Sequence, residues 1–229
     1  MTAQKLLERA WRAYRGKDIT KTPVWASDKA NMVLDIANQK KDEWAKDPNQ
    51  VWSSLFDIKD ITPVIDVSTF TYSLDASFLF PSDYFLILRT TGDIAQVSLT
   101  KPQKRLDNET SLYISGSNPK KVTFAGTFID AGFSGGTLKA PGYYLPADMT
   151  TSTSVVAVDD PDWLVYATAA ELARNDPAKE DQFSNLLGMA NNLYEKMIAA
   201  NNNIGFKQDN SIPYDMPSIG DSSQDEAFL

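Results

Sequence analysis

The sequence predicts an α+β fold: a helical bundle built from both ends of the chain, with a small antiparallel β domain inserted between them and an extended C-terminal arm. Three observations carry this. Apolar residues recur with a helical period in residues 2–46 and again in 161–202. The period vanishes between about 60 and 146, where short β-branched and aromatic runs alternate with turn residues. After residue 202 neither period survives. The expected divisions are 1–59 for the N-terminal helices, 60–146 for the β domain, 147–202 for a C-terminal helical hairpin and 203–229 for the arm.

The first helix is expected over 2–15, with Leu7, Ala10, Trp11 and Tyr14 on one face, Lys5, Arg9 and Arg12 opposite, and Gly16 as its stop. A longer helix follows over 26–46. Ala26, Ala30, Val33, Leu34, Ala37 and Trp44 form its apolar stripe, and Asp28, Asp35 and Asp42, seven apart, line the far face. Asp47-Pro48 breaks it, and a short helical turn is expected through Trp52 and Leu55.

Strands are expected at Val64–Tyr72, Tyr84–Arg89, Ala95–Leu99, Leu112–Ser115, Lys121–Ala125 and Gly136–Leu145. Gly92-Asp93, Gly116-Ser117-Asn118-Pro119 and Gly135-Gly136 punctuate them. Asp160-Pro161 then reads as a helix start, because an aspartate N-cap accepts the orphan N–H groups and proline at N1 leaves none. Asp176-Pro177 repeats the signal. The two helices, 161–174 and 177–202, form an αα-hairpin. The second carries Phe183, Leu186, Leu187, Ala190, Leu193, Tyr194 and Met197 on one face. Neither half of the chain buries its stripe alone, so the helices at the two ends are expected to pack together.

Residues 203–229 carry net charge −4, two prolines and isolated apolar residues: Phe206, Ile212, Tyr214, Met216, Ile219, Phe228 and Leu229. Such a segment is expected to be disordered when free and to fold onto a partner, since it cannot bury enough apolar surface by itself.

Composition narrows the chemistry. The 229 residues include no cysteine and no histidine. That excludes disulfides, thiolate metal sites, His-ligated zinc and a Ser-His-Asp triad within this sequence. Net charge is −8, from 30 acids and 22 bases, which lacks the electrostatic footprint of a nucleic-acid binder. Residues 1–29 run against that trend, with seven bases and three acids. The longest apolar run, Tyr84–Leu88, falls far short of a membrane span of about 20 residues. No apolar stretch follows Lys5 and Arg9, so no secretory signal is expected.

The remaining candidate motifs have structural explanations. Asp159-Asp160-Pro161-Asp162 has the acids a helix N-terminus favours and lacks the glycine and distal glutamate of a calcium loop. Ser117-Asn118-Pro119-Lys120 matches a Ser-x-x-Lys pattern, but Asn-Pro denies it the helix that would bring lysine to serine. Gly132–Gly136 is followed by no Gly-Lys-Ser/Thr and reads as a hairpin loop. No aromatic-flanked acid stands out as one of a glycosidase's two carboxylates. No catalytic, metal-binding or cofactor-binding residue is expected. Lys5, Arg9 and Arg12 are candidates for contact with DNA, with an acidic partner or with another subunit, where the Asp28, Asp35, Asp42 line offers a complement.

The stretch Trp163-Leu164-Val165-Tyr166-Ala167-Thr168-Ala169-Ala170-Glu171-Leu172-Ala173-Arg174-Asn175-Asp176-Pro177 resembles the helical hairpin of the head-to-tail adaptor (connector) proteins of tailed bacteriophages. Val33-Leu34-Asp35-Ile36-Ala37-Asn38 with Trp44, and Pro141-Gly142-Tyr143-Tyr144-Leu145-Pro146, extend the resemblance over most of the chain in order. These are packing motifs, and the β region is the loosest part: Asp75 stands after Tyr72-Ser73-Leu74 where proline is expected. The resemblance implies a virion structural protein of the neck, made in the host cytoplasm. It implies a dodecameric ring beneath the portal protein that continues the DNA channel and presents a surface to the next neck or tail protein. It implies neither enzymatic activity, nor a cofactor, nor a membrane, nor sequence-specific DNA binding. It also implies that residues 203–229 embed in the portal. Three other readings are a different neck or tail-completion protein, a carbohydrate-binding module using Tyr143-Tyr144 as a stacking platform, and a histidine-free carboxylate hydrolase.

Overall fold

A computed structural model describes residues 1–16, 22–100, 111–116, 119–125 and 129–208, with side chains described to residue 203. The fold is mixed α+β, with four α-helices and two small antiparallel sheets among the described residues.

The helix starts follow their caps. Helix α1 spans Ala3–Arg15 behind Thr2, whose side chain accepts from the Lys5 N–H, and ends at Gly16 with φ 68°. Helix α2 spans Asp28–Ala45 behind Ser27, which accepts from the Ala30 N–H. Helix α3 spans Pro161–Arg174, and Asp160 accepts from the Asp162 N–H at 2.8 Å. The second Asp-Pro signal starts a 3₁₀ turn, Pro177–Lys179, and α4 begins at Glu180. It continues to Gln208, past the expected end at 202. The apolar stripe fades near Met197, but Asn201-Asn202-Asn203 contains no helix breaker, and the Asn201 side chain is tied to Ser53 and Val51.

Helix α3 packs against α1, α2 and α4. Nine of its fourteen residues are buried, including Trp163, Leu164, Thr168 and Leu172, as expected of a helix covered on several sides. The surrounding cluster includes Leu6, Leu7, Val33, Trp44, Trp52 and Met197. A run of aromatic contacts links the helices: Trp44 to Trp52 at 5.2 Å, Trp52 to Tyr194 at 5.7 Å and Tyr194 to Trp163 at 5.7 Å between ring centroids. The Trp52 indole N–H donates to the Trp44 carbonyl at 2.8 Å. The expected turn is a 3₁₀ turn at Ser53–Leu55.

The β region forms two sheets where one antiparallel unit was expected. Strands β1 (Phe56–Ile61), β3 (Phe78–Pro81), β4 (Tyr84–Leu88), β5 (Ile94–Ser98) and β8 (Thr137–Tyr144) make the larger, in the order β1-β8-β4-β5 with β3 also on β8. Strands β2 (Thr71–Ser73), β6 (Ser111–Ser115) and β7 (Lys121–Ala125) make the smaller, in the order β2-β7-β6. The sheets meet where the Thr100 N–H donates to the Leu112 carbonyl at 2.7 Å. They share a cluster that includes Ile65, Tyr72, Phe85, Ile87, Leu112 and Leu138.

The expected strand Val64–Tyr72 shrinks to β2. Asp66 accepts from the Ser68 N–H through its side chain and from the Thr69 N–H through its carbonyl, folding 66–69 into a turn. Strands β1 and β3 were not legible. β1 sits at the sheet edge with most of both faces exposed, so it lacks a clean alternation. β3 is four residues long and ends in proline.

Candidate functional site

Lys5, Arg9 and Arg12 are all exposed on α1, as the wheel predicts. They are not equivalent. Arg9 donates to Asp162 in the first turn of α3 at 2.6 Å, and that hydrogen bond is the largest influence raising its pKa. Lys5 and Arg12 have no side-chain hydrogen bond or ion pair among the described residues.

The aspartate line divides the same way. Asp28 and Asp35 are exposed, and neither has an ion pair among the described residues. Asp42 faces Lys46, the residue that follows α2, at 3.1 Å and Lys41, within α2, at 3.2 Å. Within one chain the basic stripe therefore meets Asp162 and not the α2 aspartates.

Of the arm residues, Phe206 falls within the span of α4, but its side chain lies outside the described residues. Ile212, Tyr214, Met216, Ile219, Phe228 and Leu229 also lie outside them.

The motif candidates resolve into local structure. Asp160 caps α3, and Asp176 accepts from the Ala178 N–H and from the Tyr14 hydroxyl, the latter at 3.0 Å. Burial, then that hydrogen bond, raises the Tyr14 pKa. Ser117 and Asn118 lie outside the described residues, while Lys120 donates to the β3 carbonyls of Phe78 and Leu79 and its pKa is lowered by desolvation. Gly132–Gly136 does not close a hairpin: the flanking strands β7 and β8 belong to different sheets, and a 3₁₀ turn, Ala131–Phe133, capped by Asp130, overlaps the start of the segment.

The Tyr143-Tyr144 platform is corrected. Tyr144 is 5% exposed, stacks edge-on with Phe78 and donates its hydroxyl to the Ala140 carbonyl at 2.6 Å. Adjacent strand residues point to opposite faces, so the pair offers no common stacking surface. Tyr143 packs against Phe56 and the helical cluster.

Sequence reasoning missed Lys41. It is 1% exposed, and its ammonium donates to the Pro146 carbonyl and to Asp148 Oδ1, each at 2.7 Å. A signal existed in its place on the apolar side of the wheel, four residues after Ala37 and three before Trp44. The junction between α1 and α4 was also missed: Lys179 donates to the Tyr14 carbonyl and Gln182 to the Ala13 carbonyl, satisfying the open C-terminal end of α1.

Two surface grooves flank these elements. One, of about 690 Å³, lies between α1, α2 and α3 and is lined by Trp11, Tyr14, Val24, Met32, Ile36 and Leu172. The other, of about 430 Å³, lies beside β1 and is lined by Phe56, Lys59, Tyr144, Pro146 and Asp159. Among the described residues no group of three Asp or Glu side chains is placed to hold a metal ion, and no helix is long and apolar enough to cross a membrane. No protein-family model matches this chain, and no curated protein matches it.

Proposed function

We propose that the chain is a structural protein of a tailed-bacteriophage neck, a head-to-tail adaptor that assembles as a ring beneath the portal. In this reading the ring continues the DNA channel and offers the tail its attachment surface. The helices at the two ends of the chain form one bundle, the β region is an insertion within it, and the residues beyond α4 are the arm that engages the portal. The protein works as an assembled surface, without catalysis or a cofactor.

The observation that carries the reading is the resemblance of residues 163–177 to the adaptor hairpin. Its packing motifs correspond to α3, the most enclosed helix of the fold, and to the turn into α4. Two features are consistent with it. Net charge −8 supplies few cations to phosphates, so DNA slides past such a protein without being held. Residues 209–229 combine five acids, no bases and spaced apolar anchors. An arm of this kind gains affinity only against a preformed groove, and a ring multiplies that affinity through avidity.

The test is docking on portal-containing capsids. The full chain should bind them, and a chain truncated after Gln208, which keeps all of α4, should remain folded and lose binding. Equal binding by the truncated chain would assign the contact to the helical surface. No binding by the full chain would reject the adaptor reading.

A further inference from the structure

Two rows of charge remain after the intramolecular pairs are accounted for. On α1, Asp162 holds Arg9, leaving Lys5 and Arg12 exposed. On α2, Lys46 and Lys41 face Asp42, leaving Asp28 and Asp35 exposed. Each leftover pair is separated by seven residues, which on a helix brings both members to nearly the same face about 10.5 Å apart along the axis. The cationic and anionic rows therefore have the same repeat. Met32, 46% exposed, sits between the two aspartates and gives the acidic row an apolar centre.

Both helices pack against α3, and among the described residues no ion pair joins α1 to α2 within the chain. The complement of each row is thus free to come from another molecule. We infer that the Lys5–Arg12 face of α1 docks against the Asp28–Asp35 face of α2 in a second copy of this chain. The contact is heterologous, because one copy presents the basic row and its neighbour the acidic one. Each docked pair keeps one unused row of each sign, one at either end, and such contacts propagate until the rotation closes them into a ring. Exposed ion pairs are individually weak and screened by salt, so the association depends on ionic strength. This deepens the ring reading above by naming the faces that meet. It is tested with the protein alone, so failure of self-association and failure to dock on capsids are separate results.

The test is a charge swap read by analytical ultracentrifugation at low and high salt, with circular dichroism as the check on folding. One variant carries Lys5→Glu and Arg12→Glu, and the other Asp28→Lys and Asp35→Lys. The wild-type chain should self-associate at low salt and dissociate at high salt. Either variant alone should associate on the order of tenfold more weakly. An equimolar mixture should recover association, because the acidic α1 of one variant meets the basic α2 of the other while the native rows pair at alternate contacts. A chain carrying all four substitutions should associate by itself. The inference is overturned if the wild-type chain stays monomeric at low salt or if the folded variants associate as well as wild type. It also fails if neither the mixture nor the fourfold variant regains association.

Discussion

Lys41 is a buried charge, satisfied by the Pro146 carbonyl and Asp148 in the segment after β8 and by the neighbouring Asp42. Replacing it with alanine removes the donor to Pro146 and opens a gap beside Trp44. Such a change should cost about 2–3 kcal/mol, whereas Lys41→Met, which keeps the stem, should cost about 1 kcal/mol. Urea denaturation of both variants measures the difference, and equal losses would show that the ammonium matters more than the packing. Asp75 makes a pH prediction. Its hydrogen bonds from Ser77, side chain first and then backbone, hold its pKa below the usual carboxylate value. A group depressed in the folded state adds stability above its unfolded pKa and loses it as pH falls through the folded one. Asp75→Asn should therefore be less stable than wild type at neutral pH, and the gap should close as pH drops below about 4. Thermal melts across that range check it. Legibility at this scale follows the sequence distance between a side chain and its partner. Asp160 and Asp176 could be read as caps because the carboxylate and the N–H it accepts are neighbours in sequence. Lys41 could not be assigned, because the Pro146 carbonyl and Asp148 to which it donates stand more than a hundred residues away.

At the scale of elements, the helices were the readable part. The first three have a side-chain cap and a stop, and α3 and α4 carry long apolar stripes. Strands β1 and β3 were hidden because pairing with β8, rather than their own pattern, makes them strands. Their junction with β8 is crowded at Gly142. A Cβ added there would lie 2.6 Å from the Phe80 carbonyl oxygen and 2.7 Å from the Phe78 ring. Backbone on one side and an enclosed ring on the other leave little room to yield. Gly142→Ala should cost about 2–3 kcal/mol and separate β3 from β8. Amide hydrogen exchange would show it as faster exchange over 78–81 and 142–144, and unchanged exchange there would show that the strands shift to admit the methyl group.

For the whole molecule, the order of contacts matters more than their number. The chain's first helix lies against α3, almost 150 residues later, so α3 and α4 stay incompletely covered without it. Deleting residues 1–16 should expose Leu164 and Ala169 and give a poorly soluble product with reduced helix signal. Expression and far-ultraviolet circular dichroism test this, and a soluble product of native helix content would mean that α2 covers α3 unaided. The adaptor-like layout could be proposed from sequence because it rests on long-period patterns. The pairing of Lys5 and Arg12 with a neighbour's Asp28 and Asp35 could be proposed only after Asp162, Lys46 and Lys41 had been assigned. The chain of rings from Trp44 through Trp52 and Tyr194 to Trp163 has a spectroscopic consequence. All five tryptophans, at 11, 25, 44, 52 and 163, lie outside the eight strands. Indole emission therefore reports the helical packing and leaves the sheets dark. A melt followed at the indole wavelength and again through the tyrosines, several of which sit in strands, provides two optical windows onto two regions of one unlabelled molecule.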